Sequence, residues 1–397
     1  MKKALPILEQ LSVVGGSFLF FILASRIVGP EYFGEFSIIF ISSQIIYAIA
    51  SQWIVVPITS TRINTSELNL YSSSLTRFFV FACIVPLGAG MFYYLFVPNM
   101  RMYLFIVPVT AMSCGLILFD LLRFYNIRIN KISEQIKINI LRWTLSLSIL
   151  ILLSKKSDDL VFAVVASYLI GLIPTFYKQI FMVIQIQPNI YLSKVSSIDN
   201  FTEHSKTMVF LGFSNALFTV VTTMIMSRVG VSALGAIQAF RSLINWAPLF
   251  VQHIETHHSA ERLNKKDYTF LNIYWYGIFI FLFISAALFF YIFDEWIILT
   301  ILGPSYLEYS SALTIIFSLV MIQSATRVLG AQARLHNLQN IFKKQVYILL
   351  LSSLFFSLMY FILEIKIDIN TLLILMALIA IMQGATMFYM LNKGKKS

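Results

Sequence analysis

Within the apolar stretches of this chain sit a few side chains whose chemistry hydrocarbon cannot supply. The clearest lie in Ile237-Gln-Ala-Phe-Arg-Ser-Leu-Ile-Asn-Trp246. Gln238, Arg241 and Asn245 are spaced i, i+3 and i+7, so a helix puts them on one face. Placing a cation there costs about 2.5–3.5 kcal/mol on insertion scales, and such residues normally face protein or water. The stripe therefore reads as a cationic, hydrogen-bonding wall, or as an arginine paired with an internal acid. Asp120 and Arg123 are one turn apart in another apolar run. They form either a structural pair or, with Asp120 the one well-embedded carboxylate expected, a site for proton or cation coupling. Arg142 is a second possible partner for Asp120. Arg26 and Arg228 each close an apolar run, where a cation either faces a cleft or caps a helix C-terminus. His253, His257 and His258 with Glu255 have the chemistry of metal ligands. Arg262, Lys265 and Lys266 follow at once, which fits a solvated loop better. No catalytic triad stands out, so no catalytic residue, metal or cofactor is expected and the chain is read as a non-enzyme.

The elements that hold these residues must be membrane helices. The 397 residues are 58% hydrophobic and 12% charged, against about 25% charged in soluble domains, and mean hydropathy is +0.81. The apolar runs are too long, and lack the period-two alternation, for a barrel; in lipid only helices then satisfy their own backbone. Spans are expected at about 10–28, 34–57, 76–97, 102–124, 137–154, 159–185, 206–229, 231–253, 269–293, 308–330, 344–363 and 369–391, each near the ~20 residues that cross a bilayer. The first follows Met1-Lys2-Lys3 in the manner of a signal peptide. Its internal counterpart near 207–229 argues for a retained span.

That counterpart belongs to a repeat. Ser25–Phe36, SRIVGPEYFGEF, returns in shorter form at Ser227–Ile237, SRVGVSALGAI, with Arg26 on Arg228 and Gly34 on Gly235. A second echo sets Arg123-Phe-Tyr-Asn126 against Arg334-Leu-His-Asn337. Both offsets are near half the chain, the pattern of a duplicated transporter unit. The expected fold is all-α and integral to the membrane: about twelve transmembrane helices in two six-helix bundles, residues 1–195 and 196–397. A pseudo-twofold axis along the membrane normal would relate them around a central cavity.

The net charge of +11 would raise nucleic acid as a partner in a soluble protein. Here the lysines and arginines gather in alternate loops, with Lys2, Lys3, Arg128, Lys131, Lys194, Lys206, Lys265, Lys343 and Lys396 on one side. Acids such as Glu31, Asp159, Asp294 and Glu308 lean to the other. That bias places both termini in the cytoplasm and accounts for the basic excess without nucleic acid. There is no P-loop, so no built-in ATPase.

Ser25–Phe36 closing the first of twelve spans resembles the polysaccharide-transport branch of the MOP superfamily. These are the Wzx-type flippases of O-antigen and capsule repeat units, related to the lipid II flippase and to MATE exporters. The resemblance implies a flippase in the bacterial cytoplasmic membrane for undecaprenyl-diphosphate-linked oligosaccharide, working by alternating access. It also implies contact with membrane lipid and association with a polysaccharide polymerase and chain-length regulator. Arg241 suits the cationic cavity of such proteins, with Gln238, Asn245, Arg26, Arg228 and Arg142 as further lining. Phe40 stands where Arg241 aligns in the first half, so the charge would be lopsided. The alternatives are a MATE-like ion-coupled exporter and, with less support, an O-antigen polymerase or ligase. The latter would want a large outer loop that this chain lacks.

Overall fold

A computed structural model describes residues 5–55, 67–97, 101–157, 159–185, 202–244, 273–335, 339–362 and 368–394. Among them every regular element is helical. The longest is α1, Leu5–Ile54, which is two arms rather than one rod. Gly29 at φ 75°, ψ 171° separates them, in a region open essentially to glycine alone. Pro30 has no N–H to bond back and disfavours helical backbone in the residue before it. It then serves as the first residue of the second arm, which begins there rather than at the expected Gly34.

The next helices are α2 (Glu67–Phe96), α3 (Met102–Arg128) and α4 (Ile132–Ser154). Then α5 (Leu160–Gly171) and α6 (Ile173–Gln185) follow, divided at Leu172. Pro174 sits just inside α6, where a missing N–H costs least. Past the first half come α7 (Thr202–Val229), α8 (Val231–Ile244), α9 (Ile273–Ile292) and α10 (Asp294–Ile301). A 3-10 turn, Pro304–Tyr309, leads into α11 (Ser310–Leu335), then α12 (Gln339–Ser357) with a π-helical end at Leu358–Ile362, and α13 (Ile369–Gly394).

Nine helices among the described residues are long and apolar enough to cross a membrane, or ten if the pair Phe283–Ile292 and Asp294–Ile301, bent by 75°, is one broken span. Counting the arms of α1 separately and adding the shorter apolar α8 gives the expected twelve. The protein is an all-helical, multi-pass membrane protein. Exposed residues such as Leu87, Val107, Tyr177, Leu351 and Tyr389 are what a lipid-facing surface requires.

The helices form two compact units. Unit one comprises Met1–Gly16 and Ile38–Met224; unit two comprises Ser17–Ser37 and Ile225–Ser397. In unit one, α2 packs on α3, α4 on α5, and α6 on α3. Its core includes Ile54, Tyr71, Leu75, Ile117, Leu121 and Tyr125. Tyr71 donates through its hydroxyl to Gln179, whose amide donates to the Leu118 carbonyl at 2.8 Å. In unit two, α11 is central, packing against α13, α8 and α9.

Unit two also brings the two copies of the repeated motif together. A Cβ on Gly34 would lie 2.0 Å from the Val231 carbonyl oxygen, and a Cβ on Gly235 would lie 2.0 Å from that of Pro30. Each carbonyl sits four residues before the opposite glycine, so the contact is reciprocal: the arm starting at Pro30 treats α8 as α8 treats it. Glycine permits this approach, and its Cα–H groups point at the facing carbonyls. Beside this crossing, Tyr306 donates to the Ser25 carbonyl at 2.9 Å.

Candidate functional site

The ionisable residues expected inside spans fall into two separate groups, one in each unit. In unit one, Glu9 on the first arm of α1 is fully buried. It accepts from Arg123 twice, Nε to Oε1 at 2.7 Å and Nη2 to Oε2 at 3.1 Å. This is the fork-on-carboxylate geometry that makes a buried guanidinium tolerable. A ladder of amides extends it. Asn139 donates to Ser12 at 2.9 Å and more weakly to Glu9 at 3.4 Å. Gln135 donates to Asn139 and Asn126 donates to Gln135, both at 2.9 Å.

Two expectations change here. Asp120 is not the one embedded carboxylate, since Glu9 is more deeply buried. Nor is Asp120 the ion-pair partner of Arg123, because Glu9 occupies the fork. Asp120 instead accepts a hydrogen bond from the Tyr47 hydroxyl. It lies in the electrostatic field of Arg123 and Arg142, but no ion pair within 4 Å joins it to either.

Arg142 on α4 is 3% exposed and, among the described residues, has no acid within ion-pair distance. Its guanidinium carbon stands 4.2 Å from the ring centre of Phe119, 4.5 Å from that of Trp143 and 5.5 Å from that of Tyr168. Nη2 donates to the Tyr168 hydroxyl at 3.1 Å, while Nε has no hydrogen-bond partner. Phe40, the residue aligned with Arg241, makes a T-shaped contact with Tyr168, ring centres 5.7 Å apart.

In unit two, Arg241 lies on α8. From Ala233 to Ile244 every residue is buried except Gln238 and Arg241, both partly exposed. Among the described residues the i, i+3 pair is where that stretch of α8 is less tightly covered. Among the described residues Arg241 has neither an acid within ion-pair distance nor a hydrogen-bond acceptor. Asn245, the third member of the stripe, lies outside the described residues, as do His253, Glu255, His257 and His258.

Arg26 is exposed and donates to the carbonyls of Thr300 at 2.9 Å and Ile301 at 3.4 Å. It thus caps a helix C-terminus, that of α10 rather than its own, and meets the partial negative charge there. Arg228 is exposed, with its guanidinium carbon 6.0 Å from the ring centre of Tyr360. Asp120, Arg123 and Arg142 belong to unit one, and Arg26, Arg228, Gln238 and Arg241 to unit two.

No family model and no curated protein matches the chain. Solved structures do. A mutant of a Vibrio cholerae MATE transporter matches with a TM-score of 0.57 at 10% identity, covering 100% of this chain and 95% of that one. The fold is that of MATE transporters. An inward-facing multidrug-resistance MATE transporter of the MOP superfamily gives 0.53 at 10% identity, covering 100% and 96%. The bent form of the Vibrio cholerae protein gives 0.52 at 12% identity, covering 99% and 96%.

Proposed function

We propose that the protein is a transporter of an anionic, lipid-linked glycan: a flippase for undecaprenyl-diphosphate-linked oligosaccharide in the bacterial cytoplasmic membrane. The observation that carries this reading is Arg241, partly exposed along its side chain and without an acid or acceptor among the described residues, beside Gln238 in an apolar helix. A cation so placed is unfavourable unless something meets it. A diphosphate meets it well, because guanidinium offers two parallel N–H donors to two phosphate oxygens. Gln238 adds an amide able to bond a second oxygen or a sugar hydroxyl. Alternating access would expose the headgroup first inside and then outside, while the polyprenyl chain stays in lipid.

The test compares Arg241→Ala with Arg241→Lys in cells whose surface polysaccharide depends on this protein. Losing charge-assisted hydrogen bonds of about 1.5–3 kcal/mol lowers transport roughly 10- to 100-fold in the alanine variant. Lysine, a point charge without the fork, retains part of it. Full surface polymer in Arg241→Ala would remove this residue from the site.

A second reading, an ion-coupled exporter of small molecules, draws on the two embedded carboxylates Glu9 and Asp120 in a fold shared with MATE transporters. If Asp120 carries the coupling proton, Asp120→Asn slows transport and flattens its pH dependence. An unchanged pH profile would leave the Tyr47–Asp120 contact a structural one.

A further inference from the structure

Among the described residues unit one holds two buried arginines, and only one of them has a carboxylate in contact. Arg123 has a carboxylate on its fork. Arg142, equally deep, has three aromatic faces instead, and their centres lie within the ~6 Å over which ring quadrupoles attract a cation. The walls are themselves sealed: Phe119, Trp143 and Tyr168 are 4%, 5% and 3% exposed. A carboxylate, Asp120, stands back from the cage and contributes field without contact. Rings at close range, one hydroxyl acceptor and an acid at a distance recognise a soft organic cation rather than a metal or ammonium ion, which want oxygen ligands.

We propose that Phe119, Trp143 and Tyr168 form an organic-cation cage whose resident occupant is the protein's own Arg142. The tethered guanidinium fills the place that a free guanidinium or quaternary ammonium compound would take. Its charge adds to the larger field of Arg123 at Asp120. The cage stands on the geometry of unit one alone. Its consequence, that cationic compounds are barred and anionic ones carried, rests on the anion-transporter reading above.

Truncation at Cβ empties the cage while Asp120 keeps the field of Arg123 and its hydrogen bond from Tyr47, and a buried apolar space of that kind accepts a ligand of matching shape. The experiment uses purified full-length protein in detergent, with thermal unfolding followed in methylguanidinium chloride against sodium chloride of equal strength. Arg142→Ala melts below wild type and regains roughly 2 °C or more at ten times its dissociation constant. Wild type, whose cage is full, and Arg142→Met, whose cage is filled by an apolar chain, do not respond beyond the salt control. Arg142→Gln, shorter and neutral, leaves the ring end of the cage open and gives the same rescue if the alanine variant does not fold. A methylguanidinium response equal in Arg142→Ala, or in Arg142→Gln, and Arg142→Met overturns the cage. Surface polysaccharide in Arg241→Ala is a separate readout, so failure of the transport reading leaves this result intact, and the reverse.

Discussion

Replacing Gly34 by alanine tests the reciprocal crossing of the repeated motif. The added methyl would lie 2.0 Å from the Val231 carbonyl oxygen, whereas carbon and oxygen in such contacts rest at about 3.3–3.6 Å. The second arm of α1 and α8 must therefore part by roughly 1.3 Å where they cross. That separation loses both Cα–H···O contacts, about 0.5–1 kcal/mol each, and adds an overpacking cost of about 1–3 kcal/mol. The higher helix propensity of alanine returns about 1 kcal/mol. The net loss is about 2 kcal/mol, and Gly235→Ala, facing Pro30 in the same way, costs about the same. The informative variant is the double one. The helices need part only once while both alanines return helix propensity, so Gly34→Ala with Gly235→Ala costs about 1–2 kcal/mol rather than the sum of the two, a coupling of about 2–3 kcal/mol. Size-exclusion after graded heating measures this, each single variant melting roughly 2–4 °C below wild type. Strictly additive losses, or a neutral Gly34→Ala, would refute the crossing.

The buried pair of Glu9 and Arg123 predicts a different pattern. Glu9→Gln leaves a guanidinium without its acid and costs about 3–5 kcal/mol, while Glu9→Gln with Arg123→Met recovers much of that; the same heating assay checks both. Asp368 precedes α13 and accepts from the Thr371 N–H at 3.1 Å and from the Thr371 hydroxyl. Those bonds hold its carboxyl below the ordinary carboxylate value. A lowered folded-state value means the contribution is present above the unfolded pKa, about 3.9, and disappears as pH falls through the folded value. Asp368→Ala should therefore melt below wild type at neutral pH, with the gap closing in acid below about pH 4; a gap constant with pH would contradict the cap.

Much of the fold was legible in composition and punctuation. Gly29-Pro30 announces the break in α1 because no other pair so firmly excludes helix there, and Gly34 and Gly235 mark the echo. The echo did not reveal that its two copies touch, since a sequence period carries no distance. Glu9 was missed because it precedes the first hydropathy-defined span and looks like a flanking charge. Helix α1 begins at Leu5, and the arginine that makes Glu9 tolerable lies more than a hundred residues on. Arg142 could be located in its span, but its rings come from α3, α4 and α5. The signal that was present, an uncompensated arginine with a tryptophan beside it, names no partner. Arg26 illustrates the same limit: its cation was assigned to a helix end, and the end proved to belong to α10.

The three intramembrane arginines look alike to any hydropathy scale, yet they differ in what removal leaves behind. Without Arg123 an acid, Glu9, is stranded in a dry interior. Without Arg142 a space opens among three rings, while Asp120 keeps the field of Arg123. Without Arg241 nothing buried is orphaned among the described residues, because no acid or acceptor there was relying on it, and the side chain is partly exposed. Its substitution should therefore disturb folding least of the three. A cation kept in an apolar helix, with no acid or acceptor among the described residues, is accounted for by a ligand that brings the opposite charge. On the proposed function, Arg241→Ala therefore reports on transport, where Arg123→Ala or Arg142→Ala would report mainly on stability.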